Sequence, residues 1–275
     1  MCKLFKVSRS CYYNWIDKGS IVNKIDKDLN NLIKIIFEQA RATYGTRRLK
    51  EVLKQRYGLI VSRRKIQRTL KYLNLKVKMK RRFKVITTTS NHTLPVAPNY
   101  LQRDFYASTA DEKYVGDITY VPTNEGWLYL AVVIDIYSRK VVGWSMNYTL
   151  HTSIVNNALE MALKRRNPPK GLIYHTDRGS QYASYEHKNL LEKHGIVQSM
   201  SKKGDCWDNA VAESFFHSLK TELIHHEKFL TRSQANEKIF EYIEIFYNRQ
   251  RLHSSNGYMS PSEFEDKMLR FEMVS

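Results

Sequence analysis

Acid is scarce in this chain. Across 275 residues, 27 Asp+Glu stand against 45 Lys+Arg, a formal charge of +18 at pH 7. A pI near 9.7 points to a polyanionic partner, nucleic acid ahead of an anionic membrane surface. Cysteine is scarcer still, with Cys2, Cys11 and Cys206 odd in number and without paired spacing. That argues against a disulfide frame or a thiolate zinc site and suits a reduced, cytoplasmic protein. Long apolar runs are missing as well. No stretch of about 18 apolar residues occurs, which excludes a transmembrane helix. The first residues, Met1-Cys2-Lys3-Leu4-Phe5-Lys6, lack the apolar core of a signal peptide. What the chain does have is a hydrophobic share of 42%, enough for a packed core rather than a disordered basic tail.

The apolar spacing divides the chain into five stretches. Residues 1–25 hold Val7 to Trp15, which reads as the second half of a helix-turn-helix. Residues 26–85 predict three short helices. Leu29, Leu32, Ile33, Ile36 and Phe37 recur at helical spacing, and Leu49, Val52 and Leu53 line a second helix. Tyr57-Gly58 breaks the pattern, and Ser62 caps a third helix with Ile66, Leu70 and Leu73 inward. This is helix-turn-helix geometry, and the outward face of its last helix offers Arg64, Lys65, Arg68 and Lys71 to DNA. A solvated amphipathic helix is the plainer reading of that face. Lys80, Arg81 and Arg82 extend the charge in a run that repels itself unless phosphates neutralise it. Residues 86–112, with Pro95 and Pro98, read as a linker.

From Lys113 the period changes to that of strands. Tyr114 to Val121 alternates and is expected to stop at Pro122; Trp127 to Asp135 is nearly all apolar, as for a strand covered on both faces. Strands are also expected at Lys140 to Asn147, Gly171 to Thr176 and Ile196 to Met200, and helices at Thr152 to Arg166 and Tyr185 to His194. Asp208, read as an N-cap, would open a long helix running to His225, and Ser233 to Arg249 makes another. The order β-β-β-α-β-α-β-α predicts an α/β core over 113–230, a mixed five-stranded sheet flanked by helices, behind an all-α module. Residues 231–275 are a helical extension.

Three of the scarce acids stand in distinctive settings. Asp117 falls mid-strand, Asp177 at the carboxyl end of the fourth strand, and Glu213 one turn into the long helix, with 35 residues between the last two. On that helix Val211, Phe215, Leu219 and Leu223 form the apolar stripe, which leaves Glu213 and Lys220 on another face. Each acid alone suits a duller role: a strand-edge acid, a turn former before Arg178-Gly179, a first-turn acid favoured by the helix dipole. Together they can converge. Three carboxylates about 4 Å apart would oppose folding by roughly 10 kcal/mol, so cations or a proton must intervene. Mg²⁺, a hard ion that takes oxygen ligands, is the natural partner, and two such ions suit phosphoryl displacement. Asp135 reads as a turn cap, and His175 either as an aid to the metal site or as a packed strand-end histidine.

The motifs Gly116-Asp117-Ile118-Thr119-Tyr120, His175-Thr176-Asp177-Arg178-Gly179-Ser180-Gln181-Tyr182 and Asp208-Asn209-Ala210-Val211-Ala212-Glu213-Ser214 resemble the catalytic core of bacterial insertion-sequence transposases. The likeness is to the OrfB product of the insertion-sequence three family, related to retroviral integrases. It extends to Tyr44-Gly45-Thr46-Arg47-Arg48 and to Tyr247-Asn248-Arg249-Gln250-Arg251-Leu252-His253. The resemblance implies an RNase H-like core in which Asp117, Asp177 and Glu213 hold Mg²⁺, or Mn²⁺ in its place, to cleave element DNA ends and join them to target DNA. It implies that Lys220 contacts terminal DNA, and Arg178 is a further candidate contact. It also implies a nucleoid-associated bacterial protein, at least a dimer on paired ends. One departure is that the helix-turn-helix and coiled coil of an upstream OrfA partner or fusion are not complete here. A regulator that only binds the ends, and an RNase H-type nuclease, are the competing readings.

Overall fold

The computed structural model describes residue 2 and residues 7–17, 26–78, 94–202 and 206–273. The chain forms two compact units, Met1–Val77 and Lys78–Ser275. In the first, helix α1 (Arg9–Asp17) buries no side chain. Helices α2 (Lys27–Gln39), α3 (Thr46–Tyr57) and α4 (Arg63–Tyr72) follow the apolar spacing. Ile33, Leu49, Leu53 and Ile66 are fully buried. The α2 cap is Asp26, whose carboxylate accepts from the Leu29 amide at 3.1 Å; the α4 cap is Ser62, accepting from Lys65 at 3.2 Å. Gly58 takes φ +66°, the left-handed conformation that ends α3 and turns the chain towards α4. A buried hydrogen bond from Thr69 Oγ1 to Asn30 Oδ1 ties α4 to α2.

The second unit is built on five strands in the order β3-β2-β1-β4-β5: β1 (Lys113–Thr123), β2 (Gly126–Asp135), β3 (Val141–Asn147), β4 (Ile173–Thr176) and β5 (Val197–Met200). The first three pair antiparallel, while β4 and β5 run parallel to β1. The mixed sheet read from the sequence is therefore present. Alternation places Leu128, Leu130, Val132 and Ile134 of β2 on one face and Ala131 and Val133 on the other, and both faces are covered. Helices α5 (Thr152–Arg166) and α6 (Tyr185–Lys193) supply one cover. The other comes from α7 (Ala210–Glu222), α8 (Arg232–Glu241) and the π-helical turn Tyr242–Tyr247 that continues α8. The last helix, α9 (Pro261–Glu272), opens with a capping box between Ser260 and Glu263.

Three local readings change. Pro122 does not end β1, because β4 pairs only Lys113–Val115 and the proline lies at an open edge where a missing N–H is tolerated. The long helix is interrupted at both ends: a 3₁₀ turn (Cys206–Asn209) precedes α7, and another (Ile224–His226) follows it. Asp208 accordingly does not cap α7. Its carboxylate accepts from Asn99 Nδ2 at 2.9 Å, Arg103 Nε at 3.0 Å and the Lys202 amide at 3.0 Å. These bonds hold residues 99–103 against the sheet, where Leu101 is 1% exposed and Ser199 Oγ receives the Tyr100 amide.

Backbone contact is tight where α5 crosses β3. A Cβ on Gly143 would lie 2.1 Å from the Ala158 carbonyl oxygen and 2.8 Å from the Ala162 nitrogen. Gly143→Ala is expected to cost about 1–3 kcal/mol, since neither backbone can yield cheaply. Urea denaturation of the full chain checks this, and an unchanged midpoint would mean that α5 is free to lift from the sheet.

Candidate active site

Asp117 shares the alternation of Val115 and Val121, two residues packed in the core that contains α7, so its side chain lies on the α7 side of the sheet. Asp177 follows the last residue of β4 directly, at the carboxyl edge where open α/β sheets place their sites. Each carboxylate also shapes its own backbone. Asp117 Oδ1 accepts from the Ile118 amide at 2.8 Å, and Asp177 Oδ1 accepts from Gly179 at 2.9 Å in a tight turn. A Cβ on Gly179 would sit 3.0 Å from that same Asp177 oxygen, so the turn leaves little room for a side chain there.

Electrostatics joins the acids. Asp117 is held well above the ordinary carboxylate range, first by burial and then by the negative charge of Asp177, with a smaller push from Glu213 and relief from Lys220. Glu213 stands on the exposed side of its helix, and the partial desolvation of its carboxyl raises it. Its helix buries Ala212, Phe215, Phe216 and Leu219, and Glu213 and Lys220, seven residues apart, lie on the remaining face. The Lys220 amine stands 5.4 Å from the centroid of the Tyr120 ring and is lowered by burial, against the pull of Asp117. All four residues thus act within one electrostatic neighbourhood. Among the described residues, no three His, Cys, Asp or Glu side chains are grouped closely enough to hold one metal ion.

Beneath the pair lies a packed aromatic floor. Tyr174 and Tyr182 meet edge to face at 6.4 Å between centroids, and His187 packs against both. A Cβ on Gly116 would fall 2.1 Å from the Tyr174 hydroxyl, so glycine is required beside Asp117 for this floor to close. The Asn209 amide donates to the Gly116 carbonyl at 3.0 Å and pins the start of α7 to β1. Nothing in the spacing of the sequence pointed to that bond, although Asn209 is four residues before Glu213.

Two of the remaining candidates, His175 and Asp135, take structural roles. His175 is fully buried between Ser199 Oγ at 2.8 Å and Ser201 Oγ at 3.1 Å; burial brings it down to about 4, so it is neutral and packed. Asp135 caps its turn by accepting from Tyr137 at 2.9 Å and Asp111 at 3.2 Å, and burial pushes its carboxyl up to about 7. Arg178 donates from Nε to the Ser201 carbonyl at 2.6 Å. In the first unit Arg64, Lys65, Arg68 and Lys71 are all exposed on α4, with Lys65 3.5 Å from Asp26. Lys80, Arg81 and Arg82 lie outside the described residues.

Comparison with known proteins identifies the family. Two family models described as Integrase core domain match residues 107–206 and 213–269, and an HTH-like domain model matches 24–83. The chain is 47% identical over 268 residues to the Insertion element IS600 uncharacterized 31 kDa protein of Shigella sonnei, covering 97% of this chain and 98% of that one. It is 42% identical over 272 residues to Transposase InsF for insertion sequence IS3A of Escherichia coli (strain K12), covering 98% and 94%. The chain belongs to the insertion-sequence three transposase family. Both integrase-core matches fall within its second unit, and most of the HTH-like match falls within its first. Among solved structures, the simian T-cell lymphotropic virus intasome in complex with PP2A regulatory subunit B56 gamma is similar with a TM-score of 0.49 and 14% identity, over 81% of this chain and 70% of that chain. Among the described residues, no helix is long and apolar enough to cross a membrane.

Proposed function

We propose that this chain is the catalytic transposase of an insertion element, cleaving DNA at the element's ends and joining them to target DNA. The observation that carries the reading is the parallel pairing of β1 with β4, Val115 opposite His175, which brings Asp117 and Asp177 side by side two residues further on, where their charges oppose one another in a strongly basic chain. Two like charges held together at an open sheet edge are a standing cost that a hard cation removes. The donors are all oxygen, the chemistry that Mg²⁺ takes, or Mn²⁺ in its place, although the three side chains are not grouped closely enough in this structure to hold one ion. Asp117, Asp177 and Glu213 would hold it, as two ions. When bound, such ions activate the attacking oxygen and stabilise the leaving oxygen of a phosphodiester.

The remaining work belongs to the chain's own groups. Lys220 offers a cation beside Asp117 for the terminal phosphate, and Arg178 lies in the loop after Asp177. The exposed α4 face, with Arg64, Lys65, Arg68 and Lys71, reads the terminal repeats, and Lys80, Arg81 and Arg82 add phosphate contacts. The reading further has the protein work as at least a dimer on paired ends, with an OrfA-type protein as partner or fusion, in the bacterial cytoplasm at the nucleoid.

The test uses labelled duplexes carrying the flanking terminal repeats, incubated with the full chain and Mg²⁺ or Mn²⁺. Nicking at the repeat boundary, lost in Glu213→Gln, is the expected result. Specific binding with no nicking under either metal would favour a regulator that only occupies the ends. Equal cutting of unrelated duplexes would favour a general nuclease.

A further inference from the structure

At the end of the sheet next to Asp117, two cations and three aromatic residues join in one connected row. Lys220 Nζ lies 5.4 Å from the Tyr120 ring centroid. Tyr120 meets Trp127 edge to face at 4.7 Å between centroids. The Trp127 carbonyl accepts from Arg232 Nε at 3.1 Å, and the Arg232 guanidinium carbon stands 5.8 Å from the Tyr148 ring centroid. Trp127 is 49% exposed and Tyr148 67% exposed, so both rings present surface that the core does not use. Glu125 borders the row and accepts from the Arg232 amide at 2.7 Å.

Single exposed aromatic residues need no explanation. A linked row does, because each ring is held by a cation or another ring and so loses little freedom on meeting a ligand. Positive charge next to open aromatic surface suits one class of ligand above others, a nucleic-acid strand whose bases are unpaired. Its phosphates meet the cations while its bases stack on the rings without regard to sequence. A duplex keeps its base faces closed and gains only the charge. The row also begins at Lys220, whose amine interacts with Asp117.

We infer that an unpaired stretch of DNA strand leaves the Asp117 edge along this row, with phosphates on Lys220 and Arg232 and bases stacked on Trp127 and Tyr148. This rests on the transposase reading of that edge and adds to it that the element's end is frayed when engaged. Transposase chemistry alone requires no such melting.

The experiment measures binding of the full chain to a fluorescent oligothymidylate and to a duplex of equal length, in EDTA so that nothing is cut. Trp127→Ala and Tyr148→Ala are each expected to weaken single-strand binding roughly tenfold and to leave duplex binding unchanged. Trp127→Phe, which keeps a stacking face, is expected to retain most of the affinity, a rescue that loss of charge or of fold would not produce. Unchanged single-strand affinity in the double alanine variant would overturn the inference, as would a parallel loss on both probes. The nicking assay described above is read separately, so a chain that binds through these rings here yet never nicks there would sink the transposase reading alone. One that nicks normally with both rings removed and single-strand affinity intact would sink only this inference.

Discussion

Asp117→Asn is expected to abolish metal-dependent nicking while making the metal-free protein more stable at neutral pH. The two effects have one cause. In the folded chain the Asp117 carboxyl is raised above its ordinary value by burial and by Asp177. A carboxyl whose folded pKa exceeds its unfolded value of about 3.9 favours the folded state most in acid, and that contribution is lost as pH rises through the folded value. Asparagine carries no charge to desolvate, so its advantage over aspartate should be absent below about pH 4 and grow towards neutrality. Melting curves across that range, with metal chelated, check the sign. Mg²⁺ should reverse the order. At about 100 times its Kd, a ligand specific for the folded state stabilises by about 2.7 kcal/mol, and the wild type should gain this while Asp117→Asn should not. Nicking should fall by about a thousandfold or more, some 4 kcal/mol of transition-state stabilisation. A wild-type melting temperature indifferent to Mg²⁺ and Mn²⁺ would remove the cation from the account.

The largest stability loss is expected from Arg251→Ala. Arg251 and Glu222 are 5% and 8% exposed, and their ion pair closes at 2.7 Å. Arg251 Nε reaches both Glu222 oxygens, at 3.0 and 2.8 Å, and Nη2 also donates to Ser218 Oγ at 3.0 Å. The Tyr242 hydroxyl donates to Glu222 Oε2 at 2.8 Å. Burial alone would ease the proton off the guanidinium, but the Glu222 charge outweighs it and holds Arg251 firmly cationic. Removing Arg251 strands a buried carboxylate, at about 3–5 kcal/mol. Because Ser218 and Glu222 belong to the last turns of α7, nicking should fall along with stability, through misplacement of Glu213 and Lys220. Arg251→Met with Glu222→Leu separates charge from packing. The double variant should recover much of the loss, since an apolar pair of similar volume often replaces a buried ion pair at little cost. Urea denaturation measures both, and a loss under about 1 kcal/mol for Arg251→Ala would show that water reaches Glu222.

These two residues show how legibility varied along the chain. Asp117 was legible only in company with Asp177 and Glu213, since alone it suits a strand-edge acid, and the sheet puts it where period two requires. Arg251 and Asn248 entered only through the resemblance of their motif, with no role attached. Asn248 in fact pairs with both backbone groups of Val141, accepting from its N–H at 3.0 Å and donating to its C=O at 2.9 Å. The stretch 86–112 reads as a linker on Pro95 and Pro98, yet Asn99, Tyr100, Leu101 and Arg103 are held by bonds to the side chains of Asp208 and Ser199, which leave no periodic trace. Likewise α8 and the π turn after it were legible as helical, but not as a cover for the sheet, to which Ile239, Tyr242, Ile243 and Phe246 contribute.

By itself the sequence determined what depends on local order. Strand alternation, helix spacing, the cap at Ser62, the charge excess and the three acid-bearing motifs are properties of neighbours along the chain, set by backbone period and side-chain chemistry. Only the tertiary structure decided which distant groups meet. It brought Asp177 to bear more strongly than Glu213 on Asp117, seated His175 between two serines, turned Asp208 from a helix cap into a clasp, and lined Lys220, Tyr120, Trp127, Arg232 and Tyr148 into one row. Such meetings depend on how two faces of a sheet are covered. That is settled by packing among residues far apart in the chain, for which no spacing rule exists.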